Sequence, residues 1–356
     1  SADTSGFRLE EKNASGGKIS FDTLTYTEEG IYCYTLKEKI PEDDERYIYD
    51  RTEYEVRVFV TADGNQMQAA TTVTKTKDKN GNSATETVED IATGIKFDNT
   101  TNLAALSIQK WLVKEDGTKL EKSSWPDSNV SFSFRLDMKN ENGQWVPCQN
   151  QPYLSYEGAE GISGSTNSAG IFSIQAQETD SPARIEFQDL VIGKEYRVTE
   201  LLNDKPQYEF HSLSVDGSEQ HPVPAVGVRE YSTDAIQIKK GGNQVLYKNY
   251  PLNSIKIIKK DEAGNLLQGA EFTLEKWDEA SGSWVQSGDP AISDQNGIAR
   301  FENLHAGKYR ITEVKTLPGY VLLKEPIEIE LPYEYKAGSI VNDSPVDSDG
   351  TAYNIT

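Results

Sequence analysis

Three residue types recur along this chain in a pattern that could form a covalent bond: a lysine, a glutamate and an asparagine. Each closes a short stretch in which apolar and polar residues alternate. Two complete sets occur in the same order, Lys110, Glu200 and Asn249 followed by Lys259, Glu313 and Asn342. A lysine amine that attacks an asparagine side-chain amide yields a new amide and one ammonia, while a carboxyl group moves the protons. The residue types therefore predict amide cross-links made within the chain.

The place of each residue in its stretch predicts that its side chain is buried. Side chains on a strand alternate between two faces, so every second residue points the same way. Lys110 shares a face with Leu106 and Ile108, and Asn249 shares one with Tyr247. The other members of the two sets follow the same rule. Apolar surroundings lower a lysine pKa and raise a glutamate pKa, because desolvation disfavours the charged form of each. Burial thus favours the neutral amine and the protonated carboxyl that the reaction needs.

A buried ion pair is the competing interpretation of each set. In that case the lysine and the glutamate simply neutralise each other, and the asparagine is an ordinary hydrogen-bonding residue at a strand end. Two complete sets with the same order and the same parity favour the cross-link. We therefore expect bonds from Lys110 to Asn249 and from Lys259 to Asn342, with Glu200 and Glu313 as the catalytic carboxyls.

A third set near the start of the chain is incomplete. Glu38 and Asn99 end two alternating stretches, but no lysine strand precedes Phe7-Arg8-Leu9. Lys12 and Lys18 follow that stretch and flank a turn-like segment. Either the first strand was trimmed away or this part of the chain makes no intrachain bond. A sandwich that lacks a strand could also accept one from a neighbouring molecule. Glu38 and Asn99 are accordingly a possible remnant or an interchain site.

The elements that must position these residues are short strands. Two-residue alternation is widespread, as in Tyr54–Val60, Val130–Leu136 and Ile327–Leu331, and glycine- or asparagine-rich turns separate the runs. This pattern predicts an all-β chain of tandem Ig-like β-sandwiches. The points where the pattern restarts predict four regions: 1–102, 103–251, 252–345 and a polar, frayed tail at 346–356.

Composition excludes several classes of function. The chain has 356 residues and a net charge of -21, which would repel nucleic acid and anionic membranes. No apolar run approaches the roughly 20 residues of a membrane helix. Cys33 and Cys148 fall in different repeats, so we expect no disulfide, and no metal or cofactor motif is present. The start at Ser1 resembles a processed end without a signal peptide. Three scattered histidines and the lack of hydrolase motifs indicate that the chain is not an enzyme.

Longer motifs carry a resemblance to known families. Residues 252–343 resemble a Cna B-type (SpaA-like) domain of Gram-positive surface proteins through Gly307-Lys308-Tyr309-Arg310-Ile311-Thr312-Glu313 and Pro318-Gly319-Tyr320. Residues 103–250 resemble a larger relative, with insertions. Residues 6–101 resemble the streptococcal pilin isopeptide-linkage (FctA-like) domain through Gly30-Ile31-Tyr32-Cys33-Tyr34-Thr35-Leu36-Lys37-Glu38 and Phe97-Asp98-Asn99.

The resemblance implies a structural subunit of a Gram-positive pilus or a cell-wall-anchored stalk. Its implied partners are other pilin subunits and sortase, and its implied location is extracellular, in the cell wall or pilus. Neither a Leu-Pro-x-Thr-Gly sorting signal nor a Tyr-Pro-Lys pilin motif is visible. The alternative is an adhesin for a host protein or glycan, because long loops on rigid sandwiches often bind ligands. The insertions around Trp125-Pro126 and at 149–168, together with Trp145, are the candidates for that role. The simpler interpretation is that they are decorative loops and a packing side chain.

Overall fold

The computed structural model describes residues 8–157 and 160–332 and a strand at 352–355. Asn342 and most of the predicted tail lie outside these residues. The all-β prediction is confirmed, as is the tandem arrangement of sandwich-like domains. The chain divides into two compact units, Ser1–Leu103 and Ala104–Thr356. Among the helices of the described residues, none has the length and apolar character needed to cross a membrane.

The first unit consists mainly of one antiparallel sheet in the order β1-β3-β4-β5, beside a small β2-β6 pair. In chain order its elements are β1 (Gly30–Lys37), β2 (Tyr47–Ile48), β3 (Glu53–Asp63), β4 (Gln66–Lys77), β5 (Ser83–Thr87), α1 (Ile91–Gly94) and β6 (Thr100–Thr101). Alternation decides which side chains of β3 are buried, since Tyr54, Val58 and Val60 are nearly inaccessible. A two-residue turn joins β3 to β4, and Gly64 supplies its positive φ of 61°.

One strand expected in this unit does not form. The stretch Ile95–Asn99 alternates in sequence, but the structure gives it no strand. Asp90 caps the preceding helical turn by accepting a hydrogen bond from the Ala92 backbone N–H at 3.0 Å. Asn99 is therefore held by loop contacts and not by the parity of a strand.

The second unit begins with a sandwich of two sheets. The first sheet has seven strands in the order β11-β10-β13-β7-β19-β15-β16, and the second contains β12-β8-β14-β17 with β9 and β18 at its margins. In chain order the strands are β7 (Leu103–Leu112), β8 (Ser131–Lys139), β9 (Trp145–Pro147), β10 (Pro152–Tyr156), β11 (Gly161–Ser165), β12 (Ile171–Gln175), β13 (Arg184–Val191), β14 (Glu195–Leu201), β15 (Tyr208–Val215), β16 (Ser218–Gln220), β17 (Glu230–Ser232), β18 (Ile236–Gln237) and β19 (Asn243–Pro251). A 3₁₀ turn lies at Lys122–Ser124.

Aromatic and aliphatic side chains from both sheets fill the space between them. Phe132 and Phe134 of β8 meet Tyr208 and Tyr247 of the opposite sheet, edge to face, with ring centroids 5.2 and 5.1 Å apart. All four side chains are fully buried. The result is a dense, dry core on the side of both sheets that carries the reactive residues.

A smaller sandwich completes the second unit, with sheets β24-β20-β27 and β22-β21-β25-β26, the latter also pairing with β23. Its strands are β20 (Asn253–Lys259), β21 (Glu271–Asp278), β22 (Ser283–Gln286), β23 (Ala291–Ile292), β24 (Ile298–Leu304), β25 (Gly307–Lys315), β26 (Ile327–Leu331) and β27 (Ala352–Ile355). Strand β27 lies within the range expected to be a frayed tail, yet it pairs in parallel with β20.

The two sandwiches of the second unit meet at a short junction. Only Leu252 separates β19 from β20. The Glu115 carboxylate accepts a hydrogen bond from the Ala306 backbone N–H at 2.7 Å and lies 3.1 Å from Nδ1 of His305. The Tyr250 ring lies beside His305, with centroids 6.3 Å apart. The turn that follows β7 thus contacts the turn between β24 and β25.

Candidate cross-linking sites

In the sandwich formed by β7–β19, referred to below as the second domain, the lysine and the asparagine lie on neighbouring strands of one sheet. Strands β7 and β19 run parallel, with Tyr247 opposite Lys110 and Asn249 opposite Leu112. Neighbouring strands lie about 4.8 Å apart, and the two-residue offset keeps both side chains on the core face. A lysine side chain is long enough to span that offset along the strand. The register therefore allows the Lys110 amine to reach the Asn249 side chain.

The carboxylate comes from the opposite sheet. Glu200 on β14 lies with its Oε1 atom 2.7 Å from Nζ of Lys110. The same oxygen accepts a hydrogen bond from Nδ2 of Asn249 at 2.9 Å. All three residues have 0% exposure. The structure thus brings the three sequence-predicted residues into one contact cluster, with Glu200 joining the lysine and the asparagine.

The surroundings of this cluster shift its ionisation towards neutral forms. Burial lowers the pKa of Lys110 to about 8, although the nearby Glu200 opposes that shift. Burial also raises the pKa of Glu200, against the opposing effect of Lys110. The Phe132 ring lies 4.5 Å from Nζ of Lys110 and helps to exclude water. Sequence reasoning missed Phe132, since alternation shows that it is buried but not which residue it covers.

Three buried polar atoms of the cluster make no hydrogen bond within the described residues, although one of them, Nζ of Lys110, is in ion-pair contact with Glu200. Oδ1 of Asn249 and Oε2 of Glu200 are buried, and neither has a partner among the described residues. An ionised Glu200 attracts the amide N–H of Asn249, which is the orientation seen here. Once Glu200 holds a proton, a half-turn of the amide would let the carboxyl donate to Oδ1 and polarise the carbonyl. Oδ1 of Asn249 and Oε2 of Glu200 are the two unpartnered atoms that a protonated carboxyl could join by a hydrogen bond.

The smaller sandwich, formed by β20–β27 and referred to below as the third domain, repeats the lysine–glutamate contact. Nζ of Lys259 lies 3.2 Å from Oε1 and 3.4 Å from Oε2 of Glu313, whose side chain is fully buried. The Leu323 backbone N–H donates to Oε2 at 3.0 Å and fixes the carboxylate. The predicted acceptor, Asn342, lies outside the described residues. The strand that does run beside Lys259 is β27, with Ile355 opposite the lysine.

The first unit brings together the two residues of the incomplete set. Asn99 donates from Nδ2 to Oε1 of Glu38 at 2.6 Å, and its Oδ1 accepts from the Asp50 backbone N–H at 2.8 Å. Oε2 of Glu38 has no hydrogen-bond partner among the described residues. Asn99 is exposed, unlike its counterpart in the second domain. Lys12 and Lys18 are also exposed. This site therefore has the glutamate and the asparagine of a cross-linking set. It lacks the burial that would lower the pKa of a lysine amine.

The segments considered for ligand binding contribute to sheet pairing and side-chain packing. Half of the insertion at 149–168 forms β10 and β11, which extend the seven-stranded sheet. Trp125 is buried and donates from its indole N–H to the Leu120 carbonyl at 3.3 Å. Trp145 packs against the Arg197 guanidinium, 4.7 Å from its ring centroid. Among the described residues, no cluster of histidine, cysteine and acidic side chains could hold a metal ion. These contacts do not favour the adhesin alternative.

Two family models match separate parts of the chain. Residues 2–102 match the model of the Spy0128-like isopeptide containing domain family, called FctA. Residues 253–343 match that of the SpaA family, described as a prealbumin-like fold domain. The chain contains a domain of each family. Glu38 and Asn99 lie within the FctA domain, and Lys259 and Glu313 within the SpaA domain. No curated protein matches the chain.

Solved structures of streptococcal pilus proteins match the chain at low sequence identity. The major pilin of Streptococcus pyogenes is 20% identical over 66% of this chain and 75% of its own, with a TM-score of 0.39. The pilus backbone RrgB of Streptococcus pneumoniae is 14% identical over 85% of this chain and 70% of its own, with a TM-score of 0.23. Both matches have a sequence identity of 20% or less and a TM-score below 0.4. The FctA and SpaA assignments therefore rest on the family models alone.

Proposed function

We propose that this protein is a structural subunit of a Gram-positive pilus or of a cell-wall-anchored stalk, stiffened by Lys–Asn bonds that form without an enzyme. The observation that carries the proposal is the fully buried contact of Lys110, Glu200 and Asn249. An ion pair alone is a weak reason to bury a lysine and a glutamate, because desolvation offsets most of their attraction. Formation of an amide bond would remove the lysine charge and with it the cost of burying that charge.

The bond would form in two proton-coupled steps. Glu200 takes a proton from the Lys110 ammonium, which leaves a neutral amine and a neutral carboxyl. The Nζ atom then attacks Cγ of Asn249 while the carboxyl donates to the side-chain carbonyl oxygen. Glu200 then takes a proton from the attacking nitrogen and delivers it to Nδ2, the Cγ–Nδ2 bond breaks, and ammonia leaves. As the carbonyl re-forms, its oxygen returns a proton to Glu200, which therefore ends as a neutral carboxyl, and no oxidant, metal or cofactor takes part.

Folding supplies the proximity for this reaction. Holding the reactants in place can lower a barrier by roughly 7–11 kcal/mol in favourable cases. The reaction happens once for each molecule, so it is a maturation step, and the protein is not an enzyme in the sense of turnover. By the same chemistry, Lys259, Glu313 and Asn342 would form the second bond. Glu38 and Asn99 would be the acceptor half of a third site.

A pilus subunit needs covalent strength along its length. The Lys110–Asn249 bond would join the first and last strands of the second domain, and the chain enters and leaves through these strands. A pulling force would then pass through an amide instead of through the hydrogen bonds of the sheet. In this role the partners are other pilin subunits and the sortase that links them, and the location is the cell wall or pilus.

The experiment that tests this role uses wall extracts of the source bacterium. An antiserum against the protein should detect a ladder of high-mass species that survives boiling in detergent, and the ladder should collapse to one band when the sortase genes are deleted. A single band of monomer mass in both strains would contradict the pilus role. Host-protein and glycan binding screens with the purified chain would detect the adhesin alternative.

A further inference from the structure

The reactive cluster of the second domain is assembled from two sheets. Glu200 belongs to the sheet of β14, whereas Lys110 and Asn249 belong to the sheet of β7 and β19. The chain crosses from one sheet to the other directly after Glu200, through residues 202–207. It then enters β15, where Phe210 lies opposite Asn249. The distance between the carboxylate and the asparagine therefore depends on how firmly this crossing segment is held.

One side chain holds most of the crossing segment. The Arg229 guanidinium donates from one terminal nitrogen to the carbonyls of Leu202 and Lys205, each at 3.1 Å. Its other terminal nitrogen donates to the Tyr208 carbonyl and lies 3.4 Å from a carboxylate oxygen of Glu209. The planar guanidinium suits this task, because it presents several N–H donors in a fixed fork. A lysine ammonium presents its three donors from a single nitrogen and lacks this fork.

The backbone of Arg229 adds two further ties to the same segment. Its N–H donates to Oδ1 of Asn203 at 3.0 Å, and its carbonyl accepts from the Leu202 N–H at 2.8 Å. Two residues later, Tyr231 lies opposite Glu200 in the sheet. The Tyr231 ring stacks on Phe210, with centroids 4.1 Å apart. Arg229 is thus tied to the strand of the carboxylate and to the strand beside the acceptor.

We propose that Arg229 is a positioning residue for the cross-link of the second domain, and that its guanidinium fixes the crossing segment so that Glu200 stays in contact with Lys110 and Asn249. This inference rests on the proposed function. Arg229 contributes by holding the backbone in position and not through its positive charge. The positive charge of Arg229 by itself favours the ionised form of Glu200, whereas the reaction needs that carboxyl to accept a proton.

The test compares Arg229→Met with Arg229→Lys in the full chain, with Arg184→Met as the control. Arg184 is a part-buried arginine of the same domain that packs on Tyr156 and pairs with Glu186. A misplacement of about 1 Å can slow a positioned reaction about 100-fold. We therefore expect both Arg229 variants to be purified partly unlinked and to convert slowly, while Arg184→Met is fully linked. Intact mass at intervals measures the loss of one ammonia.

The comparison of the two variants separates position from charge. If position matters, Arg229→Lys is as slow as Arg229→Met, and their conversion rates share one pH dependence. If Arg229 acted through its charge, the lysine variant would behave as the wild type, or the two pH profiles would be displaced. Full linkage in both variants, at the rate of Arg184→Met, would also overturn the proposal.

A milder variant keeps the test decisive if the arginine variants do not fold. Asn203→Ala removes the acceptor of the Arg229 N–H and leaves the guanidinium in place. It should fold, as judged by circular dichroism, and should link more slowly than the wild type; a folded Asn203→Ala that links at the wild-type rate would contradict the proposal. Failure of the proposed function looks different, because the wild type itself would then keep the ammonia at Lys110 and Asn249.

Discussion

Replacement of Asn249 by alanine isolates the energetic effect of the predicted cross-link. The variant removes the acceptor and leaves the contact between Lys110 and Glu200 intact, so no charge is left without its partner. We expect it to keep the native fold and to lose no ammonia at this site. Its free energy of unfolding should fall, because the unfolded chain is no longer closed into a loop.

The size of that loss follows from the positions of the two residues. The bond between Lys110 and Asn249 closes a loop of about 140 residues, which the chain-entropy relation for disulfides converts to about 5 kcal/mol. For a domain of about 150 residues, 1 kcal/mol shifts the melting temperature by about 2–4 °C. The cross-link is therefore worth about 10–20 °C. Loss of the buried asparagine hydrogen bond adds about 1–3 kcal/mol.

A second background separates these two contributions. In Glu200→Ala the cross-link is already absent, so adding Asn249→Ala removes only the side chain and its packing. We expect a large drop in melting temperature when Asn249→Ala is made in the wild type and a small one when it is made in Glu200→Ala. Equal drops in the two backgrounds, measured by calorimetry, would refute the cross-link as a source of stability.

Three further outcomes follow from the described contacts. Glu313→Ala should leave the third domain folded but unlinked, so peptide mapping should find its lysine peptide free; a joined peptide would contradict the role of that carboxyl. In Asn249→Ala, Lys110 keeps an amine whose pKa falls to about 8 from 10.5 when the domain folds. The unfolded state then binds more protons between these values, so stability should rise with pH across that window, and denaturant titrations of the linked wild type should show no such rise. Glu115→Ala removes the acceptor of the Ala306 N–H, so hydrogen exchange at that amide should accelerate while core amides stay protected; an unchanged rate would contradict the contact.

Much of the fold and part of the site follow from the period-two pattern. Alternation placed Lys110, Glu200 and Asn249 on apolar faces, and the structure buries all three completely. Parity is informative here because both faces of a sandwich strand differ sharply in solvent exposure. It cannot tell which sheet a strand joins, so the arrival of Glu200 from the opposite sheet was not predictable.

Other features depend on contacts that leave no local pattern. Ile95–Asn99 alternates, yet the segment forms no strand, because the Asp90 cap and the Asp50 contacts hold it as a loop. Arg229 was missed because its partners are backbone carbonyls, which every sequence possesses. Strand β27 was missed because its four residues, Ala352-Tyr353-Asn354-Ile355, are too few to show a two-residue period.

The most direct test of the central claim is a mass measurement on the second domain's reactive pair. The full chain and its Glu200→Ala variant are digested, and the peptides that contain Lys110 and Asn249 are analysed by tandem mass spectrometry. The account predicts that the wild type yields one joined peptide, lighter than the two separate peptides by one ammonia, and that Glu200→Ala yields two separate peptides. Two separate peptides of full mass from the wild type would contradict it.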